Sequence, residues 1–172
     1  MNYIPEMINN FNAYSNGSRL IGVTAEVTLP ELEQMAETLS MAGMLGEINS
    51  SAIGHFGAIT QEVPFSNLTV DIFSAMSPLN GVNLTFRGSE QVTDPSTGAK
   101  KFVQIRVVEK GTFEGFNPGV LKKGGAGNPT VKYGLNYILV EIGGKQKFEL
   151  DKLNNVFKVN GKDILKNITK QC

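Results

Sequence analysis

The pattern of apolar and polar positions is most regular after residue 28, where it has the period of an amphipathic helix. Thr28 and Glu31 have the spacing of a capping box, and Pro30 falls in the first turn, where its missing N–H costs nothing. The apolar stripe at helical spacing consists of Leu32, Met35, Ala36 and Leu39. Because Gly43 is a natural helix end, the pattern predicts a helix between residues 28 and 43.

A glycine-punctuated apolar loop is predicted from Gly43 to residue 58. Its sequence, GMLGEINSSAIGHFGA, has neither a helical period nor strict alternation. Several of its side chains are large and apolar, so we expect the loop to need a partner surface.

The segments on either side of this stretch predict an arm and two strands. Residues 1–18 are polar and irregular and are interpreted as an arm, whereas residues 19–28 alternate weakly and predict a strand. Residues 57–65 alternate until Pro64 ends regular pairing. Residues 66–77 fit either a strand or a helix that follows Ser66, and the helix is favoured.

From Val82 onward the pattern is that of strands. Residues 82–87 and 100–110 alternate on either side of an Asp-Pro-Ser-Thr-Gly turn and predict a hairpin. Residues 112–128 contain too many glycines for regular structure. The remaining predictions are a strand at 130–142, a turn at Gly143-Gly144 with a returning strand through residue 150, and a short pair of strands around the Asn160-Gly161 turn.

Composition bounds the class of protein. A chain of 172 residues is one domain of ordinary size. Sixteen basic and sixteen acidic side chains give a net charge of +0, which argues against a dedicated nucleic-acid-binding domain. One cysteine excludes an intrachain disulfide framework. Because the sequence shows neither a secretory signal nor a long apolar run, we expect a soluble protein made in the cytoplasm, without a membrane partner.

No constellation of residues indicates catalysis or a cofactor. His55 is the only histidine and is interpreted as structural or surface-exposed, and Cys172 is interpreted as a terminal thiol. Gly124 to Gly127 lacks the Lys-Ser/Thr of a phosphate loop. The Lys100-Lys101 and Lys122-Lys123 pairs are interpreted as solvated surface. The sequence therefore predicts a protein that is not an enzyme, has no metal and acts by assembly.

Motifs distributed over the whole chain resemble a known family. The segments that carry the resemblance are residues 11–14, 17–23, 27–33, 42–48, 84–88, 107–111, 137–144, 150–154 and 159–165. In this order they are similar to the major tail tube proteins of contractile-tailed bacteriophages.

The resemblance implies a mostly β (α+β) fold, an antiparallel β-sandwich or barrel with one flanking helix. It also implies that six copies join their inner sheets into a ring-shaped barrel and that the rings stack into a tube, which removes exposed strand edges. The arm at 1–18 and the loop at 43–58 would then contact the neighbouring ring. The candidate inter-ring residues are Gly43, Met44, Leu45, Gly46, Glu47, Ile48, Ile53 and Phe56.

The partners implied by the resemblance are other copies of the chain, a tail sheath protein outside the tube, and a tape measure protein and DNA in the lumen. The resemblance also implies that the protein is located in the virion tail, which is assembled in the cytoplasm of a host bacterium. DNA must slide through the lumen, so lumen residues should be polar without gripping phosphate; Asn83, Thr85 and Arg87, or Gln104 and Arg106, are examples. Arg87 could instead be an intersubunit ion-pair partner, which is slightly favoured.

Two alternatives remain open. The same fold serves phage-tail-like bacteriocins and contractile injection systems, in which no genome travels. A monomeric β-sandwich that binds a ligand through the Met-rich loop is the alternative from another class.

Overall fold

The computed structural model describes residues 3–172. It is a mostly antiparallel β structure, which confirms the predicted fold class. The strands are β1 Ile4–Ser15, β2 Ser18–Arg19, β3 Gln34–Leu39, β4 Ile48–Phe56, β5 Ile59–Pro64, β6 Val82–Thr93, β7 Lys100–Asn117, β8 Thr130–Ile142, β9 Lys145–Asp151, β10 Val156–Val159 and β11 Lys162–Asp163. The helices are α1 Val70–Ala75 and α2 Lys166–Thr169. No helix within residues 3–172 is long and apolar enough to span a membrane.

Nine of the described strands form one sheet in the order β11-β10-β9-β8-β7-β6-β1-β2, with β5 paired to the first half of β8. The predicted hairpin is confirmed as β6 and β7, which pair continuously from Val82 opposite Gly111 to Thr93 opposite Lys100. Gly143 and Gly144 have positive φ angles in the two-residue turn between β8 and β9, as that turn type requires.

The core lies on one face of this sheet, because apolar residues occupy every second position of the central strands. In β6 the buried residues are Val82, Leu84, Phe86 and Val92. α1 adds Ile72 and Ala75 to the same cluster, and the buried Tyr133 hydroxyl donates a hydrogen bond of 3.0 Å to the Ala75 carbonyl. Within residues 66–77 the favoured helix is confirmed for Val70–Ala75, and the flanking residues are not helical.

The opposite face of the same strands is mainly polar. Arg87 of β6 lies directly opposite Arg106 of β7, and Ser89 lies opposite Gln104. Because directly paired residues project from the same side of a sheet, the polar residues predicted for one face do share it.

The prediction of a helix between residues 28 and 43 is wrong. Residues 28–33 are irregular, and β3 pairs with β4 as a separate two-stranded sheet in which Leu39 lies opposite Ile48. A short helix is marginal unless a packed face stabilises it, and Met35 and Ala36 of the expected apolar stripe are exposed here. In this segment the backbone N–H and C=O groups form hydrogen bonds with β4 instead of with each other in a helix. The predicted loop at 43–58 is therefore partly strand.

Three further expectations require correction. The arm expected at 1–18 is not irregular between residues 4 and 15, because β1 pairs with β6 along its whole length; residues 1 and 2 lie outside the described residues. Residues 20–28, expected as a strand, are irregular apart from one bridge between Val23 and Phe65. β7 continues to Asn117 through the glycines, because a side chain at Gly111 would lie 2.0 Å from the Gly134 carbonyl oxygen; only glycine permits this approach of β8.

Candidate functional site

The hairpin of β3 and β4 carries the residues predicted to contact a neighbouring ring. Gly43, Met44, Leu45, Gly46 and Glu47 form the turn between the two strands, and Ile48 begins β4. Gly43 and Gly46 have φ angles of 90° and 107°, so the turn depends on glycine at both positions. Leu45 is fully exposed, and about half of the Ile48 surface is exposed. These six residues lie together at the tip of the hairpin.

Ile53 and Phe56 do not lie with the tip. Ile53 is half exposed along β4. Phe56 lies at the base of the hairpin, where its ring makes edge contacts with Phe157 at 5.2 Å and with Phe148 at 6.5 Å between centroids. Within the subunit, Phe56 therefore packs the base of the hairpin against the main sheet.

Further contacts fix the base of the hairpin. The Gly57 amide donates a hydrogen bond of 3.1 Å to the Glu33 carbonyl, and the Lys152 ammonium group donates to the Gly57 carbonyl. The side chain of Leu165, just before α2, fills the space beside Gly54, which has a φ angle of 81°. The hairpin is thus attached at one end only, and its apolar tip has no cover among the described residues.

A second unpartnered feature is the outer edge of β1. β2 covers only Tyr14 and Ser15, and no other backbone hydrogen bond in residues 3–172 covers the edge between Ile4 and Asn12. Ile4, Met7 and Ile8 are each more than half exposed beside this edge. Sequence reasoning missed the strand because the register shifts at Glu6 and Asn9 interrupt its alternation.

Glu6 fastens the exposed half of β1 to the neighbouring hairpin. Its carboxylate accepts hydrogen bonds from the Thr93 hydroxyl at 2.6 Å, from the Gln91 amide and from the Lys100 ammonium group at 3.2 Å. These donors, with Thr93 the strongest, lower the pKa of Glu6 to about 2. Residues 4–15 of the predicted arm therefore form an edge strand of the main sheet.

Several basic residues on the polar face of the sheet have partners within the subunit. Arg106 pairs with Glu141 at 2.9 Å, and Lys158 pairs with Glu149 at 3.2 Å. The Glu149 carboxylate also accepts from the Gln146 amide and the Tyr137 hydroxyl. Burial, followed by the bond to Glu149, raises the pKa of Tyr137 to about 12, so this hydroxyl remains a donor at neutral pH.

Two more basic residues of this face lie over aromatic rings, whereas the exposed Lys132 and Lys147 form no ion pair among the described residues. The Arg87 guanidinium is 5.1 Å from the centroid of Tyr14, and the Lys110 ammonium is 4.7 Å from that of Tyr137. Arg87 therefore has an aromatic partner within the subunit, and its expected intersubunit ion pair stays a prediction. Four basic residues of this polar face thus lie close to an anion or an aromatic ring of the same subunit.

Residues with potential chemical roles do not converge in the described part of the chain. His55 and Cys172 are both exposed, and no group of three His, Cys, Asp or Glu side chains in residues 3–172 could hold a metal ion. The features that stand out are surfaces for association rather than a pocket for chemistry.

Comparison with known proteins points in the same direction. A match to the family described as phage tail tube protein FII covers residues 5–171. The chain is 28% identical to the tail tube protein of Escherichia phage P2 over 165 residues, which are 94% of each chain. It is 25% identical to the major tail tube protein of Serratia phage KSP20 over 161 residues, which are 94% of this chain and 91% of the relative.

These relatives point to the tail of a phage virion as the place where such a chain acts. An uncovered strand edge and an exposed apolar hairpin are surfaces suited to association with other protein chains. Since the family match spans nearly the whole sequence, the chain belongs to the phage tail tube protein FII family, whose members are structural tail proteins and not enzymes.

Proposed function

We propose that this chain, acting as a single domain, forms hexameric rings that stack into the inner tube of a contractile phage tail. The observation that carries the proposal is the uncovered edge of β1, a row of unpaired backbone groups in an ordered strand at the margin of the main sheet. Folded monomers seldom leave such an edge open, because it templates pairing with another chain.

Ring closure would use the two margins of the main sheet. β1 forms one margin, and the opposite margin carries the short strands β10 and β11. Joining the β1 edge of one copy to the opposite margin of the next is a heterologous contact, and such contacts generate a closed ring when the rotation between copies is right. The closed ring would leave no open sheet edge in the inner barrel.

Stacking would use the tip of the β3–β4 hairpin. Its exposed residues, Leu45 and Ile48 above all, would be buried against the adjacent ring, with Met44 beside them. Methionine suits a contact that must adapt between copies. Ile53, farther along β4, would extend the same contact.

The polar face of the sheet would line the lumen. DNA passing from capsid to cell must slide, and tight contacts to phosphate would oppose sliding. The pairing of Arg106 with Glu141 and of Lys158 with Glu149 supports this assignment, because it compensates two of the positive charges on this face. Before DNA is ejected, the same lumen would hold a tape measure protein. A sheath protein would surround the tube. The tail would be assembled in the host cytoplasm.

The first test is the assembly state of the purified protein at rising concentration. We expect light scattering after size-exclusion chromatography to show species larger than a monomer, and negative-stain microscopy to show rings or tubes. Seeds of preformed tube would remove any initiation barrier. A compact monomer at every concentration, even with seeds, would overturn the proposal.

The second test places lysines beside the uncovered edge. Ile4→Lys with Met7→Lys should keep the subunit folded, because both side chains are more than half exposed. The added charges should oppose edge pairing and raise the concentration needed for ring formation about tenfold or more. Leu79→Lys with Leu121→Lys is the matched control, since both leucines are almost fully exposed and neither lies in a strand. Equal assembly of the two variants would exclude the β1 edge from the ring contact.

A further inference from the structure

The charges of this chain are divided along the sequence although their sum is zero. Residues 20–86 contain seven acidic residues and no lysine or arginine. Residues 87–172 contain fifteen of the sixteen basic residues and eight acidic ones. One part of the chain is therefore strongly acidic and the other strongly basic, which a net charge of +0 conceals.

The acidic residues before and on the β3–β4 hairpin have no counter-charge within the subunit. Among residues 3–172 the ion pairs join Lys100 to Glu6, Arg106 to Glu141 and Lys158 to Glu149, and none involves the hairpin. The exposed acids concerned are Glu26, Glu31, Glu33, Glu37 and Glu47. Glu37 and Glu47 lie closest along the chain to the apolar tip residues Leu39, Leu45 and Ile48.

A basic and partly apolar surface occurs at the end of the main sheet that carries the Gly143-Gly144 turn. Lys145 and Lys147 begin β9, are exposed and form no ion pair among the described residues. Ile142 is paired with Lys145 across the turn and is 39% exposed. Lys147 follows Lys145 by two residues on β9, so this end of the sheet combines an exposed apolar side chain with two cations. Such a surface is the chemical complement of an apolar tip with two carboxylates nearby in the chain.

We propose that the hairpin tip of one copy binds the Gly143-Gly144 end of the main sheet of a second copy, with Glu37 and Glu47 facing Lys145 and Lys147. Two identical acidic hairpins repel each other, so a symmetric contact between them is disfavoured, whereas a head-to-tail contact brings opposite charges together. The division of charge thus gives stacking a direction. This inference rests on the proposed tube function and names the surfaces that rings use to stack.

The test is a pair of charge-reversed proteins. Glu37→Lys with Glu47→Lys gives a subunit that is basic at both surfaces, and Lys145→Glu with Lys147→Glu gives one that is acidic at both. Each alone should need at least about tenfold more protein to form tubes than the unmodified chain, because like charges then meet at every ring contact. A mixture of the two should assemble, since the basic hairpin of one meets the acidic sheet end of the other.

Two controls carry the same change in net charge at other places. Glu26→Lys with Glu62→Lys and Lys122→Glu with Lys123→Glu alter exposed residues outside both surfaces and should assemble like the unmodified chain. Added salt should weaken tube formation by the unmodified chain but strengthen it for each reversed protein.

The outcomes separate this inference from the tube function itself. If the unmodified chain forms tubes and the reversed proteins do so at the same concentration, the hairpin acids face some other partner, such as a surrounding tail protein, and the inference is overturned. Failure of the mixture to recover assembly would overturn it as well. If the unmodified chain never forms rings or tubes, the proposed function fails instead.

Discussion

Glu109 is a carboxylic acid in the apolar layer of the subunit, with Leu84 and Ile138 directly opposite on the neighbouring strands. It is fully buried, and neither of its carboxylate oxygens has a hydrogen-bond partner in the described residues. Burial raises the pKa of Glu109 from 4.5 to about 8. Glu109 therefore stays protonated and neutral in the folded subunit at neutral pH.

This residue makes the free energy of unfolding depend on pH. Between pH values of about 4.5 and 8 the unfolded chain ionises Glu109 while the folded chain keeps the proton. The unfolded state then binds fewer protons than the folded state. The contribution of Glu109 to the free energy of unfolding is therefore fully present below pH 4.5, and it falls by about 1.4 kcal/mol per pH unit as the pH rises towards 8. Glu109→Gln should abolish this slope, as urea unfolding at a series of pH values would show.

A carboxylate on the surface of the same strand provides the control. Glu114→Gln should leave the slope of the unmodified protein in place, because Glu114 is exposed. Glu6 and Asp94 have lowered pKa values, so their effects fall below this pH range and do not obscure it. An unchanged slope in Glu109→Gln would show that position 109 is hydrated in the folded state.

At the scale of the element, the β3–β4 hairpin depends on few contacts with the main sheet. Phe56→Ala removes the ring that contacts Phe148 and Phe157. We expect a loss of about 2 kcal/mol in the free energy of unfolding, less than for a fully buried phenylalanine because Phe56 is only partly buried. Hydrogen exchange should accelerate in residues 34–56 and stay slow in β6, β7 and β8.

Phe102→Ala is the comparison for this prediction. Phe102 is 66% exposed, so its removal should change stability by no more than about 0.5 kcal/mol and leave exchange in the hairpin unaltered. If Phe56→Ala destabilised every strand equally, the hairpin would be part of the cooperative core and not an attached element.

The elements also show how far sequence reasoning reaches. β6 and β7 were predictable because alternation is unbroken over residues 82–87 and 100–110 and the Asp94–Gly98 turn joins them. β3 was not predictable, since Leu32, Met35, Ala36 and Leu39 match a helical period by their spacing alone. What decides that segment is pairing with β4, a tertiary contact that overrides local propensity.

The same comparison applies to the candidate site. The turn residues Gly43 to Glu47 were predictable as an exposed apolar segment, because the sequence there mixes glycines with large apolar residues and has neither a helical nor a strand period. The separation of Phe56 from that tip depends on contacts with β9 and β10, which the chain pattern does not encode. The open edge of β1 depends on sheet order, which emerges only when all strands are placed.

At the scale of the whole molecule, the polar face of the main sheet must satisfy two opposing demands if it lines the lumen. It must be hydrated so that DNA moves, yet its cations must not hold the phosphates. Hydrogen bonds from Gln146, Lys158 and Tyr137 outweigh the opposing effect of burial and lower the pKa of Glu149, so this anion stays charged beside Lys158. Glu149 therefore still compensates the positive charge of Lys158 at neutral pH.

Removing the two compensating anions should convert this face into one that binds DNA. Glu141→Gln with Glu149→Gln leaves Arg106 and Lys158 without their carboxylate partners. Affinity for a short duplex, measured by fluorescence anisotropy, should rise, and log K should fall more steeply with log salt by about 0.9 for each cation that reaches a phosphate. Glu31→Gln with Glu33→Gln changes net charge equally, but neither residue has a basic partner to release. Equal DNA binding by both variants would mean that net charge alone determines the affinity for DNA. That result would contradict the assignment of the polar face to the lumen.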